Sequence, residues 1–232
     1  MKLPHGKQVG RATCCSRKYD MQDYFYKLSD SLVASCRGRE VLLLNFSAEQ
    51  SDFVRFNRSA VRQPGSVDQR YVSLELIDAQ KHASATTVLT GEAASDRSRC
   101  SEALERLRAD VPHLPDDPYL LYAETPRSGE QIAEDDLPDS RDALDAILSA
   151  GKGRDMVGIY AAGGIFRGFA NSLGQRNWFA THSFHVDFCF YRDADKAVKT
   201  SYAGFAWDTA EFARKVAEAS EQADVLARPA RS

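Results

Sequence analysis

The sequence predicts an α+β protein made of two units of antiparallel sheet flanked by helices. Strand-type alternation occurs in two separate runs, and each run lies between segments with helical periodicity. The connections within each run are short, whereas a parallel crossover needs about a dozen residues or more. Strands and helices therefore do not alternate as they do in a βαβ fold.

The same patterns divide the chain into four parts. Residues 1–20 have no periodicity and are predicted to be a disordered tail. Residues 21–123 form the first α+β unit, and residues 151–232 form the second. Between them, residues 124–150 are an acidic, turn-rich connector that ends in a short helix.

In the first unit, apolar residues three and four apart predict a helix with the stripe Phe25, Leu28, Leu32 and Cys36, ended by Gly38. Four short strands are predicted at 41–46, 53–57, 72–76 and 84–90. A polar turn at 47–52 separates the first two, and Pro64-Gly65 marks another turn. A helix capped by Ser95 or Asp96 follows, with one face formed by Cys100, Leu104, Leu107 and Val111.

In the second unit, a short helix begins at Asp139 or Ser140 and ends at Gly151. Strands are predicted at 155–160, 184–190 and 198–206. The central one alternates cleanly and should bury the row Phe184, Val186, Phe188 and Phe190. Asp208 opens a helix with the apolar face Phe212, Val216, Ala219, Ala223 and Leu226.

Composition argues against several classes of function. The net charge is −3 and the pI is near 6.0, whereas a protein that binds mainly nucleic-acid phosphates is usually basic. There is no apolar run of about 18 residues, so no membrane span is expected. The first residues lack the apolar core of a secretory signal. We therefore expect a cytoplasmic protein whose five cysteines are free thiols.

Most clusters of reactive residues have a structural explanation. His182 and His185 are three apart on a strand, so they face opposite sides and cannot share a metal. His185, Asp187 and Cys189 share a face, but the side chains along such a row run parallel, which makes a catalytic triad awkward.

Two further stretches each have a structural and a functional interpretation. The glycine-rich stretch 163–174 fits no phosphate-loop motif and is interpreted as a bulged strand and turn. The carboxylates of the acidic connector are interpreted as a solvated linker, with a metal site as the alternative.

Arginines concentrate around the first predicted hairpin and are the best candidates for ligand contact. Arg55, Arg58, Arg62 and Arg70 lie close in sequence, and the guanidinium group can bind a carboxylate or phosphate with two parallel hydrogen bonds. Solvent-facing arginines on a sheet edge are the alternative. The candidate peptide-binding residues are Arg55, Asn57, Arg58 and Arg62.

Several segments resemble the TldD/PmbA family, the modulators of DNA gyrase. DFVRFNRSAVRQPGSVDQR at 52–70 resembles the opening hairpin of that family. LPDDPYLL, GRDMVGIYAAGGIFRGFANSLGQRNWFATHSFHVDF and YAGFAWD followed by a helix also match its pattern. The resemblance covers about residues 38–228 in consistent order, and it fits the PmbA (TldE-like) branch better than the TldD branch.

The resemblance implies a zinc metalloprotease family whose members act on peptides and unfolded segments, some as non-catalytic paired subunits. TldD-like members carry an HExxxH zinc motif in a C-terminal domain, and this sequence contains no HExxxH. No catalytic or metal-binding residue is therefore carried over, and no zinc is expected in this chain.

The expected protein is thus an N-terminal part of a family subunit. It should be non-catalytic by itself, with an exposed apolar surface where a further domain or a partner packs. It should form a homo- or hetero-dimer with a TldD/PmbA-family subunit. The alternative is a stand-alone module that binds peptides or proteins.

Overall fold

The computed structural model describes residues 14–192 and 196–227, with side chains from Met21 onward. The helices are α1 (Cys14–Val33), α2 (Ala93–Asp110), α3 (Ser140–Gly151) and α4 (Thr209–Leu226), and a 3₁₀ turn spans Val111–His113. The strands are β1 (Val41–Asn57), β2 (Ala60–Asp78), β3 (Lys81–Leu89), β4 (Gly129–Ile132), β5 (Asp155–Asn171), β6 (Arg176–Arg192) and β7 (Lys196–Gly204).

All seven described strands join in one sheet. Its order is β3-β2-β1-β5-β6-β4, and β7 also pairs with β6. Every pairing is antiparallel except that of β4, which runs parallel to residues 177–180 of β6. The predicted α+β class with antiparallel sheet is confirmed. The two halves of the chain are linked through the pairing of β1 with β5.

Both hydrophobic cores lie on the same side of this sheet, which we call the helix face. At one end, α1 and α2 pack on strand residues such as Leu44 and Trp178. At the other end, α3 and α4 pack on residues such as Phe56 and Phe188. Residues an even number apart in a strand share a face. Across β1, β5 and β6 the register pairs even-numbered residues with even-numbered residues, so these four residues point to the same side. Each core contains residues from both halves of the chain, since Trp178 packs with α1 and α2 and Phe56 packs with α3 and α4.

The opposite side of the sheet, the open face, is not covered by any helix in the described part of the chain. Most of its odd-numbered residues in β1, β5 and β6 are half-buried or exposed, and several are apolar: Phe53, Ile159, Ile165, Phe169 and Phe179. A sheet with one covered and one uncovered side is common when the strands are antiparallel. The open face therefore leaves these apolar side chains partly accessible.

The predicted turn at 47–52 is wrong, because β1 runs without a break from Val41 to Asn57. Its polar residues lie in the middle of the strand, between the two cores, where the first residue of α3 reaches them through a hydrogen bond from Ser140 Oγ to Asp52 Oδ2. A polar run therefore marked the gap between two cores and not a change in chain direction.

The turn predicted at Pro64-Gly65 is also wrong, since both residues lie inside β2. β3 pairs only with residues 70–78, so the outer edge of β2 is unpaired at 60–69 among the described residues. Proline is tolerated at such an edge because its missing N–H faces no strand. The hairpin turns instead at Arg58 and Ser59, both with positive φ.

Strands β5 and β6 are much longer than predicted, at 17 residues each. The glycines at 163, 164 and 168 lie in continuous register, so the predicted bulge is absent from this part of β5. A Cβ at Gly168 would lie 2.6 Å from the ring of Phe25. Glycine is therefore needed there for close packing of α1 on the sheet.

Other boundaries shift in smaller ways. Strand β4, at 129–132, lies within the predicted connector. Helix α2 is capped by Glu92, whose side chain accepts hydrogen bonds from two backbone amides, and not by Ser95 or Asp96. Helix α1 begins at Cys14, inside the predicted tail, while residues 1–13 lie outside the described residues.

The strongest sequence pattern is confirmed by burial. Every side chain of the predicted aromatic row is at most 3% exposed: Phe184, Val186, Phe188 and Phe190. The predicted faces of α2 and α4 are also buried, except for Leu226, which is 49% exposed near the end of α4. In the described part of the chain, no helix has the length and apolar character to cross a membrane.

Candidate functional site

A groove on the open face collects most of the predicted peptide-binding residues. We call it the hairpin groove, because it lies beside the β1–β2 turn. It encloses about 450 Å³ and is lined by Arg55, Phe56, Asn57, Arg62, Val157, Gly158, Ile159, Asp187, Phe188, Cys189 and Lys199. Four strands, β1, β5, β6 and β7, and the start of β2 contribute to it.

The local register explains which arginines meet. A register shift after Arg55 pairs Phe56 with Val61 and leaves Arg62 as the extra residue of a bulge. The bulge lets Arg62 join Arg55 on the open face. Arg58 lies outside the groove at the tip of the hairpin, where its φ of 51° places it in the turn.

Arg70 is separated from this group. It lies on the helix face, and its guanidinium pairs with Asp68 at 3.0 Å. A Cβ on Gly91 would lie 2.9 Å from Arg70 Nη1, so the side chain reaches back toward the start of α2. The structure thus brings Arg55, Asn57 and Arg62 together and leaves Arg70 elsewhere.

The hairpin groove has an excess of positive charge. Lys199 Nζ lies 2.9 Å from Asp187 Oδ2, and this hydrogen bond raises the pKa of Lys199. Neither the Arg55 nor the Arg62 side chain has a hydrogen bond or ion pair with any other described residue. Burial raises the pKa of the Cys189 thiol, so the sulfur is neutral near pH 7. Two guanidinium charges therefore remain available to a ligand.

A second concavity, the central cavity, lies on the helix face between the two cores. It encloses about 510 Å³, and its polar lining includes Gln50, Asp52, Asp68, Asp135, Asp139, Ser140 and His182. Sequence analysis missed this cavity. The signal was the polar run in β1, which was interpreted as a turn.

Cross-strand pairing builds the floor of the central cavity. Asp68, Gln50, Gly164 and His182 face one another in one row across β2, β1, β5 and β6. His182 is 5% exposed, and its Nε2 lies 3.7 Å from Asp135 Oδ2. No lysine or arginine lines the cavity in the described part of the chain, so its charge is negative.

The described residues do not fit a zinc site. His182 is buried on the helix face and His185 is exposed on the open face, as the strand period predicts. Nowhere between residues 14–192 and 196–227 do three His, Cys, Asp or Glu side chains converge as a metal would need. The carboxylate of Asp187 pairs with Lys199, so the row His185, Asp187 and Cys189 is not arranged as a triad.

Solved structures provide the comparison that the sequence alone lacks. No family model and no curated protein matches the chain. A candidate modulator of a DNA gyrase from Thermotoga maritima matches 85% of it with a TM-score of 0.62 and 17% identity. TldE from Thermococcus kodakarensis matches 88% with a TM-score of 0.56 and 11% identity. A candidate gyrase modulator from Bacteroides thetaiotaomicron matches 89% with a TM-score of 0.54 and 16% identity.

These neighbours show that the chain has an α+β fold found in TldE and in two candidate modulators of DNA gyrase. That fold is the one of the TldD/PmbA family, to which the sequence segments pointed. The chain covers 47–49% of each of these three structures, so it spans about half of their length.

Proposed function

We propose that the chain is the N-terminal part of a TldD/PmbA-family subunit that acts on peptides or unfolded protein segments. The observation that supports this most is the match of 85–89% of the chain to about half of each structural neighbour. In this proposal the chain holds substrate in the cytoplasm and is non-catalytic by itself. The zinc of catalytic relatives belongs to another part of the protein or to a partner subunit.

The unpaired outer edge of β2 is where we place peptide addition. Residues 60–69 have a strand neighbour on one side only among the described residues, so their outward backbone groups can pair with an extended peptide. Arg55, Arg58 and Arg62 surround this end of the hairpin and can bind peptide carboxylates. Main-chain hydrogen bonds would then supply affinity without demanding one sequence.

The open face is where we place the partner subunit. Ile165, Phe169 and Phe179 form an apolar area on the strands of the second half, away from the hairpin groove. Exposed apolar patches of this kind mark interaction surfaces. A homo- or hetero-dimer with a TldD/PmbA-family subunit would cover it. Light scattering after Phe169→Asp and Phe179→Asp should show loss of association.

Binding of an unstructured, fluorescently labelled peptide tests the proposal. Anisotropy should rise with the wild-type chain and rise much less with the triple variant Arg55→Ala, Arg58→Ala, Arg62→Ala. The matched control removes three exposed arginines of α2, Arg97→Ala, Arg99→Ala and Arg106→Ala, and so changes the net charge equally. Equal weakening by both triple variants, or no peptide binding at all, contradicts the proposal.

The stand-alone binding module is the second candidate. It is favoured by the two cores that the described residues complete on their own. The genomic sequence immediately downstream separates the two: a reading frame that continues the family pattern supports the subunit, and its absence supports the module.

A further inference from the structure

We propose that the hairpin groove binds the C-terminal carboxylate of an extended peptide whose last side chain is apolar. This inference rests on the proposed function, since it names which part of a peptide the chain recognises. It adds a polarity to binding: the peptide would end at the groove and would not run through it.

Two guanidinium groups give the hairpin groove its excess positive charge. Arg55 and Arg62 come together through the bulge in β2, and both guanidinium groups remain without a described partner. Lys199 stands on the far side, already bound to Asp187. A carboxylate placed between the two guanidinium groups would form charge-assisted hydrogen bonds with both. A positively charged ligand would be repelled by the same pair.

The floor of the hairpin groove is apolar and includes Val157 and Ile159. Arg55 is paired with Ile159 across β1 and β5, and Ile159 is paired with Asp187 across β6. The Cβ atoms of directly opposite residues in such pairs lie about 5 Å apart. Val157 is the next open-face residue along β5 from Ile159. The apolar side chain of Ile159 thus lies beside Arg55 on the open face, and Val157 continues this apolar surface.

The neutral sulfur of Cys189 extends this floor. Val157 is paired with Cys189, and burial keeps that thiol protonated. The groove of about 450 Å³ falls within the range of about 300–1,000 Å³ that small ligand sites occupy. This volume suits a chain terminus with one side chain better than a folded surface.

The floor also distinguishes a peptide terminus from an inorganic anion. Phosphate would use Arg55 and Arg62 but would bury none of Val157 or Ile159. A terminal residue such as leucine would use both features at once, because its carboxylate and side chain leave the same Cα.

Two labelled peptides that end in leucine test the inference, one with a free carboxylate and one with a C-terminal amide. The free acid should bind the wild-type chain roughly tenfold more tightly, the expected worth of a charge-assisted pair. In the double variant Arg55→Gln, Arg62→Gln the two peptides should bind equally. The Arg99→Gln variant of α2 should retain the full difference.

The competing outcomes are separable. If both peptides bind the wild type equally, the inference is overturned while peptide binding, and so the proposed function, stands. If neither binds, the proposed function fails as well. Inorganic phosphate and the unlabelled free-acid peptide are also used as competitors. If phosphate displaces the labelled free acid at concentrations near those of the unlabelled peptide, the site is a general anion site and the inference is overturned. Circular dichroism melts of each variant confirm that the fold is retained.

Discussion

The hydroxyl of Tyr24 donates a 2.6 Å hydrogen bond to the carboxylate of Asp96, which is fully buried. This contact joins α1 to the first turn of α2. Asp96 also accepts hydrogen bonds from the amides of Thr90 and Gly91 and from the hydroxyl of Thr90. One buried carboxylate thus holds together two helices and the end of β3.

The Asp96→Asn variant should be less stable at neutral pH by about 1–3 kcal/mol, because charge-assisted hydrogen bonds are lost. Burial alone would raise the pKa of Asp96, but the hydrogen bonds from Tyr24, Thr90 and Gly91 together lower it. A lowered pKa stabilises the fold above the unfolded value of about 3.9, and this stabilisation is lost as pH falls through the folded pKa.

Urea unfolding at a series of pH values measures this effect. The wild type should lose stability more steeply in acid than Asp96→Asn does. Asp78→Asn is the control, since Asp78 is an exposed partner of Arg39 and should change little. Parallel acid profiles for wild type and Asp96→Asn would contradict the assignment.

Substitution of Gly164 should be costly although the residue lies in a regular strand. A Cβ there would lie 2.8 Å from His182 Nε2 and 2.8 Å from the ring of Phe166. Gly164→Ala should therefore reduce the free energy of unfolding by about 1–3 kcal/mol through overpacking. Gly204→Ala is the matched control, because a Cβ at Gly204 would lie 3.4 Å from the ring of Phe184, an ordinary contact distance. Thermal unfolding should rank Gly164→Ala well below Gly204→Ala.

Two substitutions at Ser59, in the β1–β2 turn, separate the contribution of a hydrogen bond from that of backbone strain. Ser59 has a φ of 53°, and its hydroxyl lies 2.6 Å from the carbonyl oxygen of Gly151. Ser59→Ala should cost about 1 kcal/mol through the lost hydrogen bond. Ser59→Gly loses the same bond but relieves roughly 1 kcal/mol of backbone strain. Urea midpoints should therefore place Ser59→Gly above Ser59→Ala, and the reverse order would show that strain is negligible.

The chain by itself should neither hold catalytic zinc nor cleave peptides. Catalytic zinc needs about three protein ligands and an open water position, and the described residues contain no such group. The chain should be purified free of metal and supplied with zinc, and both bound metal and hydrolysis of an unfolded peptide should be measured. Stoichiometric zinc with chelator-sensitive cleavage would make this chain an enzyme and overturn the proposed division of roles.

Sequence patterns predicted elements best where one side of a strand is buried along its whole length. The row from Phe184 to Phe190 alternates because every second residue lies in one core. The pattern failed in β1, where residues 50–52 line the central cavity and belong to neither hydrophobic core. Local sequence does not reveal that two cores share one strand.

The residues of the candidate sites could be predicted only where they are close together in the sequence. Arg55, Asn57 and Arg62 were predicted from proximity in sequence, and the hairpin does bring them together. Lys199, Asp187 and the central cavity require the pairing of distant strands, since His182 reaches the row of Gln50 only through β5. Spacing along the chain carries no information on such a row.

The three long strands β1, β5 and β6 each extend about 56 Å at the usual rise of 3.3 Å per residue. Helix cores pack on the two ends, whereas residues 135–139 of the acidic connector and the first residue of α3 lie over the middle. The stretch around Gly164 is therefore covered by a connector and not by a helix, and His182 beside it is only 5% exposed. A shift of that connector relative to the sheet would change the shape of the central cavity while both hydrophobic cores stay packed.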